Sequence, residues 1–85
     1  MSIGLHESLQ GYRVAQSLRK KAESYLRSNK VSDVEQGKTL ENIATDIIND
    51  DLEAACVRFD ALHPNIRSSL PFHVLDFLDK AEHGV

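Results

Sequence analysis

The chain has 85 residues, of which 41% are hydrophobic and 27% charged, and its 10 basic and 13 acidic side chains give a net charge of −3. This composition excludes a disordered chain, and the length predicts a single domain over residues 1–85. A lone cysteine excludes an intramolecular disulfide, and no apolar run approaches the roughly 20 residues that span a bilayer, so we expect a cytoplasmic protein without a membrane segment.

The first strong helical pattern covers residues 12–28. Its apolar residues recur at the spacing of one helix face, at about 100° per residue. Leu5 and Leu9 lie off that face, and the phase breaks at Gly11. We therefore predict a short N-terminal turn or helix, a kink, and then the main first helix. In the alternative, Leu5 and Leu9 continue the helix and face a partner.

The middle of the chain predicts two further helices, over residues 39–49 and 51–62. Residues 29–38 are predicted to form a loop, with or without one helical turn, because Gly37 follows too soon for a long helix to begin there. The apolar stripe shifts by roughly a quarter-turn near Asn49, Asp50 and Asp51. One bent helix also fits this shift, but we favour two helices joined by a tight turn.

The last helix is predicted over residues 70–82. Pro64 ends the preceding helix, because the residue before a proline disfavours the α conformation, and residues 65–70 are predicted to form a turn. Period-two alternation, which is typical of strands, occurs nowhere. The sequence thus predicts an all-α fold, a small bundle or orthogonal array of about four helices.

The residues capable of catalysis or metal binding form no recognisable set. The four histidines include no pair at i and i+4, which zinc-binding helices commonly use. Cys56 lies on the apolar stripe, where a small core residue is expected rather than a nucleophile. No glycine-rich nucleotide loop occurs. We therefore predict no catalytic residue, no metal, no cofactor and no enzymatic activity.

Charge is divided unevenly along the chain. Residues 1–30 carry a net charge of +4 and residues 31–85 a net charge of −7. On the first helix Arg13, Lys20 and Arg27 recur every seven residues opposite the apolar face, with Arg19 beside them, although Glu23 interrupts the face. A stripe of this kind neutralises phosphates in nucleic-acid-binding proteins. Nucleic-acid binding through these four residues is one hypothesis, and an ordinary solvated helix face is the simpler one.

An acidic stripe is predicted along the middle helices, formed by Asp46, Asp50, Glu53 and Asp60. These residues lie opposite the apolar side. Complementary charged stripes steer one protein onto another and fix its orientation. The stripe is therefore a candidate partner-binding surface, either for a second copy of the chain or for a larger protein, unless it serves only solubility.

The last helix is apolar around most of its circumference. Phe72 lies roughly opposite the centre of its core face, and Phe77 flanks that face. A helix of this kind requires cover on more than one side, from a second subunit, from another protein or from the N-terminal segment. If they are exposed, Phe72 and Phe77 form a candidate interaction patch.

These patterns together favour a small helical protein–protein interaction module, a regulator, adaptor or inhibitor that acts by binding a protein partner. We expect a homodimer. The alternative is a nucleic-acid-binding protein that uses the basic first helix.

Overall fold

The computed structural model describes residues 2–83, with the side chains of residues 9–83. Five helices follow one another: α1 (Ser2–Leu26), α2 (Val31–Ile48), α3 (Leu52–Ala61), α4 (Pro64–Ser68) and α5 (Phe72–Glu82). No strand occurs between residues 2 and 83. The predicted all-α fold with about four main helices is therefore confirmed.

The four long helices form a ring of neighbours. Helix α1 packs against α2 and α5, and helix α3 packs against the same two helices from the other side. Helices α1 and α3 therefore occupy opposite corners of the bundle. This placement directs their outer faces to opposite sides of a molecule that measures 46 × 20 × 20 Å.

Specific contacts fix the antiparallel register of the ring. A Cβ built on Gly11 of α1 would lie 3.4 Å from Ile47 and 3.9 Å from Phe77, near the end of α2 and the middle of α5. The Ser17 hydroxyl lies 2.9 Å from Nε2 of His73, at the start of α5. Chain neighbours thus run up and down, as in a four-helix bundle.

The core is apolar, and no polar or charged residue among those described for burial is buried in it. Small residues in α1 and α2 allow the two helices to approach closely, while leucine, isoleucine and valine fill the centre. The buried residues are Val14, Ala15, Leu18, Ala22, Leu40, Ile43, Ala44, Ile47, Ala55, Leu62, Ile66, Leu70, Val74 and Leu78.

The kink predicted at Gly11 is wrong, because α1 is continuous from Ser2 to Leu26. Gly11 is buried against α2 and α5, so it belongs to the packed stripe of α1 and does not interrupt it. Leu9 continues the helix with its side chain exposed, as the alternative prediction held. The side chain of Leu5 lies outside the described residues.

The loop predicted over residues 29–38 is also wrong, because α2 begins at Val31 and passes through Gly37. A Cβ on Gly37 would lie 2.9 Å from Cγ of Leu26, so the glycine allows α1 and α2 to meet. The true connection is residues 27–30. There the Ser28 hydroxyl donates to Asp33 at 2.7 Å and accepts from the backbone N–H of Lys30 at 3.1 Å.

The predicted break between α2 and α3 is confirmed. Asp50 has a left-handed backbone with φ of 62°. The N–H of Asp50 donates to the carbonyl of Ile47 at 3.0 Å, and that of Asp51 donates to the carbonyl of Asp46 at 2.7 Å. This pair of bonds is the Schellman arrangement that ends many helices. The Asp51 carboxylate then accepts from the N–H of Ala54 at 3.3 Å and caps α3.

The segment predicted as a turn over residues 65–70 contains the short helix α4. Pro64 is its first residue, where the missing N–H costs nothing, and Nδ1 of His63 accepts from the N–H of Asn65 at 3.1 Å. Helix α5 consequently begins at Phe72, two residues later than predicted. Leu70, in the connection, is buried in the core.

Candidate protein-interaction surface

The outer side of α3 combines one exposed apolar residue with two carboxylates. Glu53, Val57 and Asp60 follow one another at i, i+4 and i+7, so they share one face of the helix. All three are exposed, and the Val57 side chain is 66% exposed. Val57 also borders a shallow depression, open to solvent, on the side of Arg58.

The outer side of α5 repeats this arrangement with an aromatic residue. Phe72, Asp76 and Asp79 have the same spacing of i, i+4 and i+7. Phe72 is 82% exposed, more than any other large apolar side chain described between residues 9 and 83. Asp76 forms an ion pair of 3.2 Å with Lys80, which lies one turn further along the helix.

Cys56 connects the acidic residues of α3 with those of α5. Its Sγ lies 3.8 Å from the carbonyl oxygen of Leu78, in the seam between the two helices. Burial raises the pKa of this thiol, and the nearby carboxylates of Glu82 and Asp60 raise it further. The thiol stays protonated at neutral pH and is a poor nucleophile.

The outer sides of α3 and α5 together form one surface, which we call the acidic face. It carries two exposed apolar residues among five carboxylates. Its residues are Glu53, Val57, Asp60, Phe72, Asp76, Asp79 and Glu82.

The predicted acidic stripe divides into two parts. Glu53 and Asp60 belong to the acidic face, but Asp46 lies 2.8 Å from Nε of Arg58 in the seam between α2 and α3, with its side chain only 14% exposed. The contact is an ion pair without the geometry of a hydrogen bond, since Oδ2 of Asp46 has no hydrogen-bond partner. Asp50 forms the left-handed turn. The prediction of one continuous exposed stripe is therefore wrong for Asp46.

The two phenylalanines of α5 have different environments. Phe77 is half-buried and packs against the core, beside Gly11 of α1. Helix α1 therefore supplies the cover that the apolar side of α5 requires on this flank. The predicted patch of two exposed phenylalanines is reduced to Phe72.

The basic residues of α1 and Arg27, which directly follows it, form a second exposed surface. Arg13, Lys20 and Arg27 are exposed, as predicted, and Arg19 is half-buried. Within residues 9–83 no carboxylate lies within 4.0 Å of the charged groups of Arg13, Lys20 or Arg27. Leu9 and Tyr12 are also exposed on α1, at 60% and 55%. We call this surface the basic face: Leu9, Tyr12, Arg13, Lys20 and Arg27.

Several residues of these surfaces were not singled out from the sequence. Val57 lies off the apolar stripe of its own helix, and a helical projection of the sequence could have shown this. Tyr12 gave no such signal, because it lies at the border between the core side and the exposed side of α1. Asp79 and Glu82 could be assigned to the acidic face only after the structure showed that α5 packs beside α3.

Among the described side chains of residues 9–83, no three histidine, cysteine or acidic groups come together as metal ligands require. Among the described helices, none has both the length and the apolar character needed to cross a membrane. No protein-family model matches the chain, and no curated protein or solved structure matches it significantly.

Proposed function

We propose that this protein is a small helical interaction module, a regulator, adaptor or inhibitor, that binds a protein partner through its acidic face. The observation that carries the proposal is the exposure of Phe72 beside carboxylates. We also propose a cytoplasmic location, because the lone cysteine suits a reducing compartment.

Phe72 has the properties of an anchor for a partner. The core closes without it, so its ring is free to enter a pocket on another protein. Burying a phenylalanine side chain contributes on the order of 2 kcal/mol. Aromatic residues of this kind contribute a large part of the binding energy at protein interfaces.

The carboxylates around Phe72 define the chemistry of the partner. They favour a surface with lysine or arginine residues around an apolar pocket, and they repel an acidic one. Such charges act mainly on the rate of association and on orientation, while the apolar anchors set the lifetime of the complex. The proposed partner is therefore a protein with a basic, partly apolar patch.

The test is a pull-down with tagged protein from native-cell lysate, with and without nuclease, scored by mass spectrometry. The wild type should retain a protein partner after nuclease treatment, and Phe72→Ala should lose it. Val31→Ala is the matched control, because Val31 is 75% exposed at the start of α2, away from the acidic face. Capture that is equal for the wild type and Phe72→Ala would contradict the proposal.

A second candidate function is nucleic-acid binding through the basic face. It is favoured by the exposed positions of Arg13 and Lys20, about 10 Å apart along α1, and of Arg27, which directly follows the helix. Three phosphate contacts to duplex DNA predict a slope of about −2.7 in a plot of log affinity against log salt.

The nucleic-acid hypothesis is tested by charge reversal. Lys20→Glu should weaken binding and make the salt slope shallower by about 1 or more. Lys38→Glu is the control, since Lys38 is an exposed lysine of α2 outside the basic face. Negligible binding at low salt would remove this candidate.

A further inference from the structure

We infer that the basic face of one copy binds the acidic face of a second copy, head to tail. The inference rests on the proposed function in one respect, since it uses the same acidic face and names a second copy of the chain as a partner. It starts from the bundle itself: α1 and α3 occupy opposite corners, so the basic residues of α1 and the α3 part of the acidic face point away from each other.

The charges of the two faces have matching spacing. Arg13 and Lys20 of α1 and Arg27, the first residue after it, are seven residues apart; on α3, Glu53 and Asp60 are also seven residues apart. In a helix both intervals correspond to about 10 Å. When α1 of one copy lies alongside α3 of another, two pairs of opposite charges therefore come together at the same time.

The exposed apolar residues match as well. The basic face carries Leu9 and Tyr12, and the acidic face carries Val57 and Phe72. Leu9 lies one turn before Arg13 on α1, Val57 lies between Glu53 and Asp60 on α3, and Phe72 lies one turn before Asp76 on α5. Association of the two faces would remove these four side chains from water and leave the charged groups at the rim, the arrangement common in protein interfaces.

Other modes of self-association are less favourable. Two acidic faces brought together would place carboxylates against carboxylates, and two basic faces would oppose arginines and lysines. Within one molecule the basic residues of α1 and the carboxylates of α3 lie at opposite corners of the bundle and do not meet. Contact between unlike faces leaves a free basic face at one end and a free acidic face at the other, so the interface is heterologous and growth does not stop at a dimer.

The expected association is sensitive to salt. Exposed ion pairs are individually weak, and counterions screen them strongly. Oligomers should therefore form at about 20 mM salt and separate at about 500 mM. The homodimer expected from the sequence becomes, in this proposal, the first step of a longer assembly.

The experiment uses two triple variants that neutralise one face each. In the first, Arg13, Lys20 and Arg27 are replaced by glutamine; in the second, Glu53→Gln, Asp60→Asn and Asp79→Asn are combined. All six positions are exposed, so both variants should keep the wild-type circular dichroism. Sedimentation velocity at low salt should give wild-type species larger than a dimer, and association about tenfold weaker for each variant alone.

Mixing the two variants gives the decisive measurement. The first variant keeps an intact acidic face and the second an intact basic face, so an equimolar mixture contains one native interface. The mixture should form a 1:1 dimer that does not grow. A wild type that stops at a dimer, or a mixture in which no heterodimer forms, would overturn the head-to-tail arrangement.

The outcomes separate this inference from the proposed function. A wild type that is monomeric at about 20 mM salt and hundreds of micromolar overturns the self-association. If such a protein still captures a partner in a manner that depends on Phe72, the proposed function stands. If the protein forms salt-sensitive oligomers but Phe72→Ala captures as much partner as the wild type, this inference is supported and the proposed binding of another protein through Phe72 is overturned.

Discussion

The hairpin of α1 and α2 and the half formed by α3, α4 and α5 are built differently. In the hairpin, helices of 25 and 18 residues approach closely because Gly37 and several alanines lie between them. In the other half, helices of 10, 5 and 11 residues meet through larger side chains that stay partly exposed, such as Phe59 and Leu75. The hairpin therefore holds the closest packing between helices, while the shorter helices carry the candidate binding residues Val57 and Phe72.

The largest expected effect is on leucines, and it compares a fully buried position of the hairpin with a half-buried position of the other half. Leu18→Ala removes a fully buried side chain of α1 and should lower the free energy of unfolding by about 3 kcal/mol. Leu75→Ala, at a half-buried position of α5, should cost about half as much. Urea unfolding followed by circular dichroism measures both. Equal costs would contradict the comparison.

The two helical glycines give the next effect, with opposite signs. Gly37→Ala should destabilise the protein by about 1–2 kcal/mol, because its Cβ would lie 3.1 Å from the backbone nitrogen of Leu26 and push α1 away from α2. Gly11→Ala meets only side-chain atoms at 3.4 Å or more and should stabilise α1 by about 0.5–1 kcal/mol. The melting temperatures of the two variants should therefore move in opposite directions. If Gly37→Ala stabilised the protein instead, α1 and α2 would have space for the added methyl group, and the close packing at this position would be contradicted.

The turn that joins the two halves should respond differently at neighbouring aspartates. Asp50→Gly should raise the free energy of unfolding by about 0.5–1 kcal/mol, because glycine adopts the left-handed backbone without strain and removes a negative charge from the C-terminal end of α2. Asp51→Ala should lower it by about 1 kcal/mol through loss of the cap on α3. Thermal unfolding compares the two. If the two substitutions changed the free energy of unfolding equally, the different roles given to Asp50 and Asp51 in this turn would be contradicted.

The smallest effect is a pH dependence at the end of α5. The backbone carbonyl and the carboxylate of Asp79 raise the pKa of His83 above its ordinary value of 6.5, and the carbonyl contributes most. Stability from this contact is therefore fully present below the unfolded pKa of about 6.5 and is lost as pH rises through the higher folded value. A proton NMR titration should show the raised pKa.

The control for this titration is Asp79→Asn. It removes the carboxylate but leaves the backbone carbonyl, 2.9 Å from Nδ1 of His83. The pKa of His83 should therefore fall only part of the way toward its ordinary value. A wild-type pKa at or below 6.5 would contradict the contact.

Periodicity predicted the long helices because each has its own apolar face, which neighbouring residues determine. It failed at Gly11 and Gly37 for a single reason. A glycine that weakens a helix and a glycine that admits a second helix look alike in sequence, since the difference depends on residues far along the chain. For this reason the prediction placed the first eight residues of α2 in a loop.

The candidate site was predictable in the same partial way. The helical projection placed Phe72 opposite the core, and its exposure confirms that placement. The environment of Asp46 depends on its ion pair with Arg58 of the next helix, and the environment of Phe77 depends on its contact with Gly11 of α1. Contacts between helices decided both, and a pattern within one helix contains no information about them.

The ring of helices also has a consequence for the order of folding. Three of its four seams join helices that are close along the chain, through residues 27–30, residues 49–51 and the short α4 segment. Only the seam between α5 and α1, with Ser17 beside His73, joins distant parts of the chain. Closing a long loop carries the larger entropic cost, so we expect this seam to form last during folding and to open first when the protein unfolds.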